Sequence, residues 1–186
     1  MAHGLDPEGP GAAPEERRAL DHLFSVTYEE LRRLASTVKR GDPSATLNPT
    51  ALVNEAWLKL AGSPEVARAS RLHFKRIAAR AMRQILVEAA RRRNARKRGG
   101  GDVVLVTFDE SLGQPPSCGD DLLALDVALE ELGRIQPRQA TMVESRFFGG
   151  LDVTETAALL EVSEATILRD WRAAKAWLAH ELRRAR

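Results

Sequence analysis

The sequence contains a single cysteine, few aromatic residues (5%) and no long uninterrupted apolar run. Cys118 has no partner for an internal disulfide, which favours a reducing compartment over a secreted, cross-linked framework. A membrane-spanning helix needs about 20 apolar residues, and residues 1–14 lack the apolar stretch of a signal peptide. We therefore expect a cytoplasmic protein with no membrane contact.

Segments that would build a β-sheet are also scarce. Val103–Val106 is the one clear run of β-branched and aliphatic residues, and it could pack as a short extended segment. The composition favours Ala, Leu, Arg and Glu, which are strong helix formers. We therefore predict an all-α fold.

Signatures of catalysis are missing as well. The four histidines, His3, His22, His73 and His180, lack the spacing of metal ligands. The sequence has no nucleophile elbow and no paired-cysteine site, and the glycines at 99–101 are not followed by the Gly-Lys-Ser/Thr of a P-loop. We expect no enzymatic activity, no metal and no cofactor.

Charge is distributed unevenly, although the net value is only +2. Between Arg68 and Arg98 there are 12 Arg and Lys residues and one acid, Glu88, so the rest of the chain is net negative. A solvated helix face explains most charged runs, but adjacent arginines repel each other unless an anion relieves them. This density indicates a segment that binds a polyanion such as nucleic acid.

Hydrophobic periodicity and helix-breaking residues divide the chain into two helical domains. Residues 1–14 are predicted to be disordered, 15–98 to form the first domain, 99–121 a flexible linker rich in Pro, Ser and Gly, and 122–186 the second domain. Within the first domain, Asn48 should cap a helix that starts at Pro49, a polar loop should follow it, and a long basic helix should run from about 71 to 98.

The second domain carries the pattern of a helix-turn-helix. Asp152 and Glu155 have capping-box spacing at the start of a short helix, and Ser163 can cap the last helix. Small Ala157 would allow close crossing of the two helices. Glu161 occupies the turn position usually held by glycine, so it must bend the chain without glycine's freedom.

The last helix has one apolar and one basic face. Ile167, Trp171, Ala174 and Leu178 recur at helical spacing and should be buried. The opposite face presents side chains that can reach base edges and phosphates in a major groove: Thr166, Arg169, Arg172 and Lys175. An ordinary helical hairpin with a basic outer face is the alternative interpretation.

Three long motifs, in this order, resemble the extracytoplasmic-function (ECF) sigma factors of bacterial RNA polymerase. They are PTALVNEAWLKL, the basic AMRQILVEAARRRNARKRGGG, and RFFGGLDVTETAALLEVSEATILRDWRAAKAWLAHEL. The resemblance covers about residues 15–98 and 122–186. It implies a sigma factor that binds core polymerase and directs promoter recognition and transcription initiation.

The resemblance implies partners and roles for particular residues. Four residues would dock on the clamp helices of polymerase's largest subunit: Leu52, Asn54, Glu55 and Leu58. Five arginines would contact the promoter element nearer the start site: Arg80, Arg83, Arg91, Arg92 and Arg93. The final helix would read the distal element, and an anti-sigma factor is a further candidate partner.

The sequence departs from the pattern of many sigma factors in one respect, and it also fits one alternative function. The basic helix lacks the tryptophan that many sigma factors use to open the duplex, and Phe74 is its only phenylalanine, tyrosine or tryptophan. The alternative function is a stand-alone helix-turn-helix regulator that does not bind polymerase. Such regulators usually dimerise on two half-sites, whereas this chain carries two different basic domains.

Overall fold

The computed structural model describes residues 14–41, 48–61, 63–96 and 119–184. These residues form eight helices and no strand, which confirms the predicted all-α fold. In chain order the helices are α1 (Pro14–Gly41), α2 (Pro49–Leu60), α3 (Pro64–Ala67), α4 (Arg71–Arg96), α5 (Gly119–Ile135), α6 (Pro137–Phe147), α7 (Val153–Leu160) and α8 (Glu164–Arg184).

Several predicted features lie outside the described residues, namely the N-terminal segment before Pro14, most of the linker, and the extended stretch at Val103–Val106. Two boundaries differ from the prediction. Helix α5 begins at Gly119, inside the segment predicted as linker. Helix α3 lies in the predicted polar loop, where burial of Val66 and Ala67 against the core favours a helical turn.

Local capping fixes the helix ends where the sequence predicts them. The Asn48 side chain accepts a hydrogen bond from the Ala51 backbone N–H at 2.7 Å, and Pro49 occupies the first helical position. Asp152 and Glu155 form the complete capping box at the start of α7. Both caps satisfy backbone N–H groups that have no partner within the helix.

Helices α1, α2 and α4 share an apolar core. Leu20, Val53 and Phe74 are fully buried in it, and Ile85 is 1% exposed. At one edge the ring of Phe24 lies 4.5 Å from the ring of Trp57, which ties α1 to α2. Helix α4 is thereby held against the N-terminal part of the chain along one side.

The C-terminal helices form a second packed group. Leu132 of α5, Met142 of α6 and two residues of α8, Ile167 and Leu178, are all 1% exposed or less. These side chains let α8 pack across α5 and α6 while α7 covers its N-terminal end. Because α5, α6 and α7 cover one face of α8, its opposite face is exposed to solvent.

Helix α4 joins the two groups, because its other side packs against α5, α6 and α7. The contacting residues recur every fourth position on one face of the helix, and we call this row the seam: Lys75, Ala79, Arg83, Val87 and Arg91. At its centre the Cβ of Ala79 lies 3.1 Å from the position that a Cβ on Gly149 would occupy. This close approach places the loop after α6 directly on α4.

Candidate nucleic-acid interface

Helices α7 and α8 are joined by a three-residue turn, residues 161–163. Glu161 ends α7 in the left-handed conformation with φ 53°, and it is the only non-glycine residue with positive φ in the described ranges. The Val162 N–H then donates to the Ala157 carbonyl at 3.1 Å. The conformation of Glu161 confirms the prediction that this residue bends the chain without glycine's freedom.

Replacing Glu161 with glycine should stabilise the protein by about 1 kcal/mol, because glycine adopts the left-handed conformation without a Cβ clash. The side chain is exposed and forms no described contact, so its loss should cost little. Urea denaturation would measure the change. Glu161→Ala is the matched control, since it removes the same carboxylate but keeps the Cβ. Equal stability of the two variants would contradict the assignment of strain.

The solvent face of α8 carries the cationic residues predicted to read DNA. The Arg169 side chain is 74% exposed, and Arg172 is exposed one turn further on. Leu168, the residue before Arg169, is 43% exposed. Thr166 is half-buried with its hydroxyl 2.9 Å from that of Ser163, and Lys175 is also half-buried. Arg169 and Arg172 therefore have the greatest freedom to reach a ligand.

Two cross-helix contacts hold α8 in place, and neither was predicted from the sequence. Asp170 is 5% exposed and accepts hydrogen bonds from Arg138 of α6 at 3.0 and 2.7 Å. The Arg146 guanidinium lies 4.3 Å above the Trp171 ring. Burial lowers the pKa of Arg146, and the nearby Asp152 carboxylate opposes part of that shift. The sequence did contain one indication of the Asp170 contact. Asp170 is an acidic residue on the inward side of α8, a helix that is basic overall.

The five arginines proposed on α4 do not all face solvent. Arg80 and Arg92 are exposed, and Arg93 is partly exposed. Arg91 is 62% exposed, although its guanidinium lies 3.2 Å from an Asp126 carboxylate oxygen. Arg83 is only 14% exposed and turns into the seam. The outer face of α4 thus remains cationic while part of its charge is paired with α5 and α6.

Each of the three guanidinium nitrogens of Arg83 donates a hydrogen bond to an acceptor of the C-terminal helices. Its Nε donates to the Asp126 carboxylate at 2.9 Å, and its Nη2 donates to the Asp126 backbone carbonyl at 3.0 Å. Its Nη1 donates to the Glu144 carboxylate at 3.0 Å. Asp126 and Glu144 are themselves 8% and 13% exposed. These bonds span 43 and 61 sequence positions, and no local pattern pointed to them.

Lys75 forms a second ionic contact in the seam. Its side chain is 4% exposed, and its Nζ lies 3.1 Å from Glu30 of α1 and 2.9 Å from Glu155 of α7. Burial acts to raise the pKa of Glu30, but bonding and attraction to Lys75 and Arg71 outweigh it and lower that pKa. Lys75 therefore connects α1, α4 and the first turn of α7.

The predicted polymerase-docking residues on α2 divide between core and surface. Leu52 is 3% exposed and belongs to the core of the N-terminal helices. Asn54 is exposed, Glu55 is half-buried, and Leu58 is 72% exposed, the highest value among the large apolar side chains described. Phe74 on α4 is fully buried, so it cannot meet a DNA base in this conformation.

Two other classes of site are absent from the described ranges. Among those residues, no group of three or more His, Cys, Asp or Glu side chains is arranged to hold a metal ion. None of the helices there combines the length and apolar character needed to cross a bilayer.

One family model matches most of the chain. The family model described as ECF sigma factor matches residues 15–184, which includes all the helices above except the first residue of α1. No curated protein and no solved structure matches the chain. ECF sigma factors are transcription factors that act with RNA polymerase in the cytoplasm, and they are not enzymes. The chain belongs to the ECF sigma factor family, and it acts in promoter recognition and transcription initiation.

Proposed function

We propose that three surfaces of this sigma factor have separate binding roles. Helix α8 reads the promoter element farther from the start site, α4 contacts the nearer element, and α2 docks on the clamp helices of polymerase's largest subunit. The observation that carries the proposal is the exposed cationic face of α8, which stands on a packed three-helix support. A rigid support lets a helix enter a major groove in one orientation.

On α8 the direct base contact is assigned to Arg169. An arginine can donate two parallel hydrogen bonds to the O6 and N7 atoms of a guanine. Arg172 and Lys175 lie one and two turns along the helix, where they would meet the phosphate backbone. Thr166 is engaged with the Ser163 cap, so it would contribute from the first turn of the helix.

On α4 the arginines hold the duplex by its backbone. Arg80, Arg91, Arg92 and Arg93 lie on or beside the exposed face, and each phosphate contact would release a counterion. Arg83 joins this group only when its seam contacts are broken. Backbone contacts of this kind position the duplex but carry no sequence information of their own.

On α2 the docking surface is formed by Asn54, Glu55 and Leu58. Leu58 offers apolar area that has no partner among the described residues, and its polar neighbours can fix orientation. Leu52 supports the helix from beneath rather than meeting polymerase in this conformation.

The proposed mechanism is a binding cycle without covalent chemistry by this chain. Docking on core polymerase brings the α4 and α8 surfaces to two neighbouring promoter elements. Because both surfaces belong to one chain, binding of the first raises the effective concentration of the second. Opening the duplex costs a few kcal/mol per unstacked base step, and contacts with polymerase, phosphates and the opened strand offset that cost.

Replacing Arg169 with alanine tests the distal-element assignment. We expect a loss of about 1–3 kcal/mol in discrimination between the preferred promoter and a variant of its distal element, because the bidentate base contact disappears. Competition binding of the reconstituted holoenzyme to the two duplexes would measure it.

Polymerase binding should be unchanged in Arg169→Ala. Arg183→Ala is the matched control, since Arg183 is an exposed cation in the last turn of α8, away from the proposed base contact. Equal discrimination by Arg169→Ala and the wild-type protein would remove Arg169 from the recognition surface.

A further inference from the structure

Helix α8 carries one large apolar side chain on its solvent face. Leu168 is 43% exposed, and the other large apolar residues exposed in the described structure lie on α1, α2 and α5. Leu168 belongs neither to the core of the described helices nor to the apolar residues packed against it. The packing of the free protein therefore does not require a leucine at this position.

The neighbours of Leu168 on the helix surface include the cations proposed to bind DNA. Arg169 follows it in sequence, and Arg172 lies one turn further along the same side of α8. Glu164, one turn before Leu168, accepts a hydrogen bond from the Thr154 hydroxyl at 2.7 Å, so its carboxylate is held towards α7. Leu168 is thus an apolar residue within the cationic surface that would face DNA.

Small side chains on the same face allow α8 to approach the bases closely. Ala165, Ala173 and Ala176 are exposed between the longer residues. Because each alanine adds a single methyl group, the helix can lie nearer the floor of a major groove than it could with long side chains there. Leu168 falls in the second turn of α8, and the N-terminal residues of a recognition helix are the ones that contact base edges. A leucine at this position can therefore reach the bases.

The chemistry of the major groove determines what such a leucine can recognise. Every base edge in that groove presents hydrogen-bond donors or acceptors, but thymine also presents an apolar group, the methyl carried on C5. Contact between a leucine and that methyl removes apolar surface of both from water. Against another base edge the leucine would cover polar atoms without bonding to them, which costs free energy. An exposed leucine on a recognition helix therefore favours thymine.

We propose that Leu168 is a specificity-determining residue that reads the C5 methyl group of a thymine in the distal promoter element, beside the base read by Arg169. This inference rests on the proposed role of α8 as the reader of that element. Arg169 selects its base through hydrogen bonds, whereas Leu168 selects through apolar contact and through the cost of covering unbonded polar edges. Together the two side chains define neighbouring positions of the element.

Replacing thymine with deoxyuridine isolates the methyl group, because deoxyuridine keeps the hydrogen-bonding groups of thymine and lacks only that methyl. The starting duplex is a promoter identified by run-off transcription, and each thymine in either strand of its distal element is replaced in turn. Competition binding of the reconstituted holoenzyme gives the affinities. For the wild-type protein we expect one replacement to weaken binding by about threefold to fivefold, the effect of losing one buried methyl group.

Leu168→Ala shows whether Leu168 is the residue that senses the methyl. This variant should bind the duplexes with and without that methyl equally. Arg172→Ala is the matched control, since it should weaken binding to both duplexes but keep the preference for the methyl. Because Leu168 is exposed and alanine has a higher helix propensity, Leu168→Ala should be at least as stable as the wild-type protein in thermal unfolding.

The outcomes separate this inference from the proposed function. Equal binding of the wild-type holoenzyme to all the deoxyuridine duplexes, or a distal element without an A·T base pair, would overturn the role of Leu168 even if Arg169→Ala loses discrimination as expected. A methyl preference that persists in Leu168→Ala would overturn it too, because DNA shape or another side chain would then sense the methyl. Full discrimination in both Arg169→Ala and Leu168→Ala would instead contradict the proposed role of α8 itself.

Discussion

Replacing Arg83 with methionine should destabilise the free protein by about 3–5 kcal/mol, the cost of removing one partner of a buried charge pair. The change leaves Asp126 and Glu144, 8% and 13% exposed, without their cation. Methionine keeps the length and apolar stem of arginine, so the packing loss is small. Urea denaturation followed by circular dichroism would measure the difference.

Arg80→Met is the matched control for this prediction. Arg80 lies one turn before Arg83 on α4 but is exposed and forms no ion pair in the described residues, so its replacement should change stability by less than about 0.5 kcal/mol. Adding Asp126→Asn and Glu144→Gln to Arg83→Met should recover most of the loss, because no buried charge then lacks a partner. Similar losses for Arg80→Met and Arg83→Met would show that the seam contributes little.

Replacing Leu58 with asparagine should weaken binding to core polymerase by about 2 kcal/mol, or roughly thirtyfold. Leu58 is 72% exposed on α2, so its loss should not disturb the core of the free protein. An exposed leucine at the centre of an interface contributes to the binding free energy, because its apolar surface is removed from water when the partner binds. Titration of labelled core polymerase with each variant would give the affinity.

Val127→Asn provides the comparison for Leu58→Asn. Val127 is 64% exposed on α5, outside the proposed docking surface, and its replacement removes a similarly exposed apolar side chain. It should bind polymerase like the wild-type protein. Unchanged affinity for Leu58→Asn would remove α2 from the polymerase interface, whereas equal weakening of both variants would indicate a general effect of lost apolar surface.

Local features of the fold were predictable because short-range chemistry determines them. Asn48 before Pro49, the Asp152–Glu155 capping box and the bend at Glu161 each depend on residues within four positions of one another. The buried stripe of α8 followed from helical spacing alone. Sequence reasoning therefore predicted where these helices begin and which face of α8 is buried.

Long-range pairing was not predictable in the same way. The charge pattern showed that α4 is rich in arginine, but it did not show that Arg83 would meet carboxylates 43 and 61 positions away. Nor did it separate Arg83, which is paired and turned inward, from Arg80, which is exposed. Charge density predicts a binding surface, whereas tertiary packing decides which cations are available to it.

The same limit applies to α2 and to the support of α8. Leu52 and Leu58 both fit the polymerase-docking motif, yet one is in the core and the other in solvent. Asp170, within the basic helix α8, pairs with Arg138 of α6. Each outcome depends on how neighbouring helices cross.

Transcription with purified core RNA polymerase tests the central claim most directly. Run-off assays on genomic fragments would compare core enzyme alone with core enzyme plus this protein. We predict stoichiometric binding to the core enzyme and transcripts that start at defined promoters only when the protein is present. No binding to the core enzyme, with no promoter-specific transcript, would contradict the account.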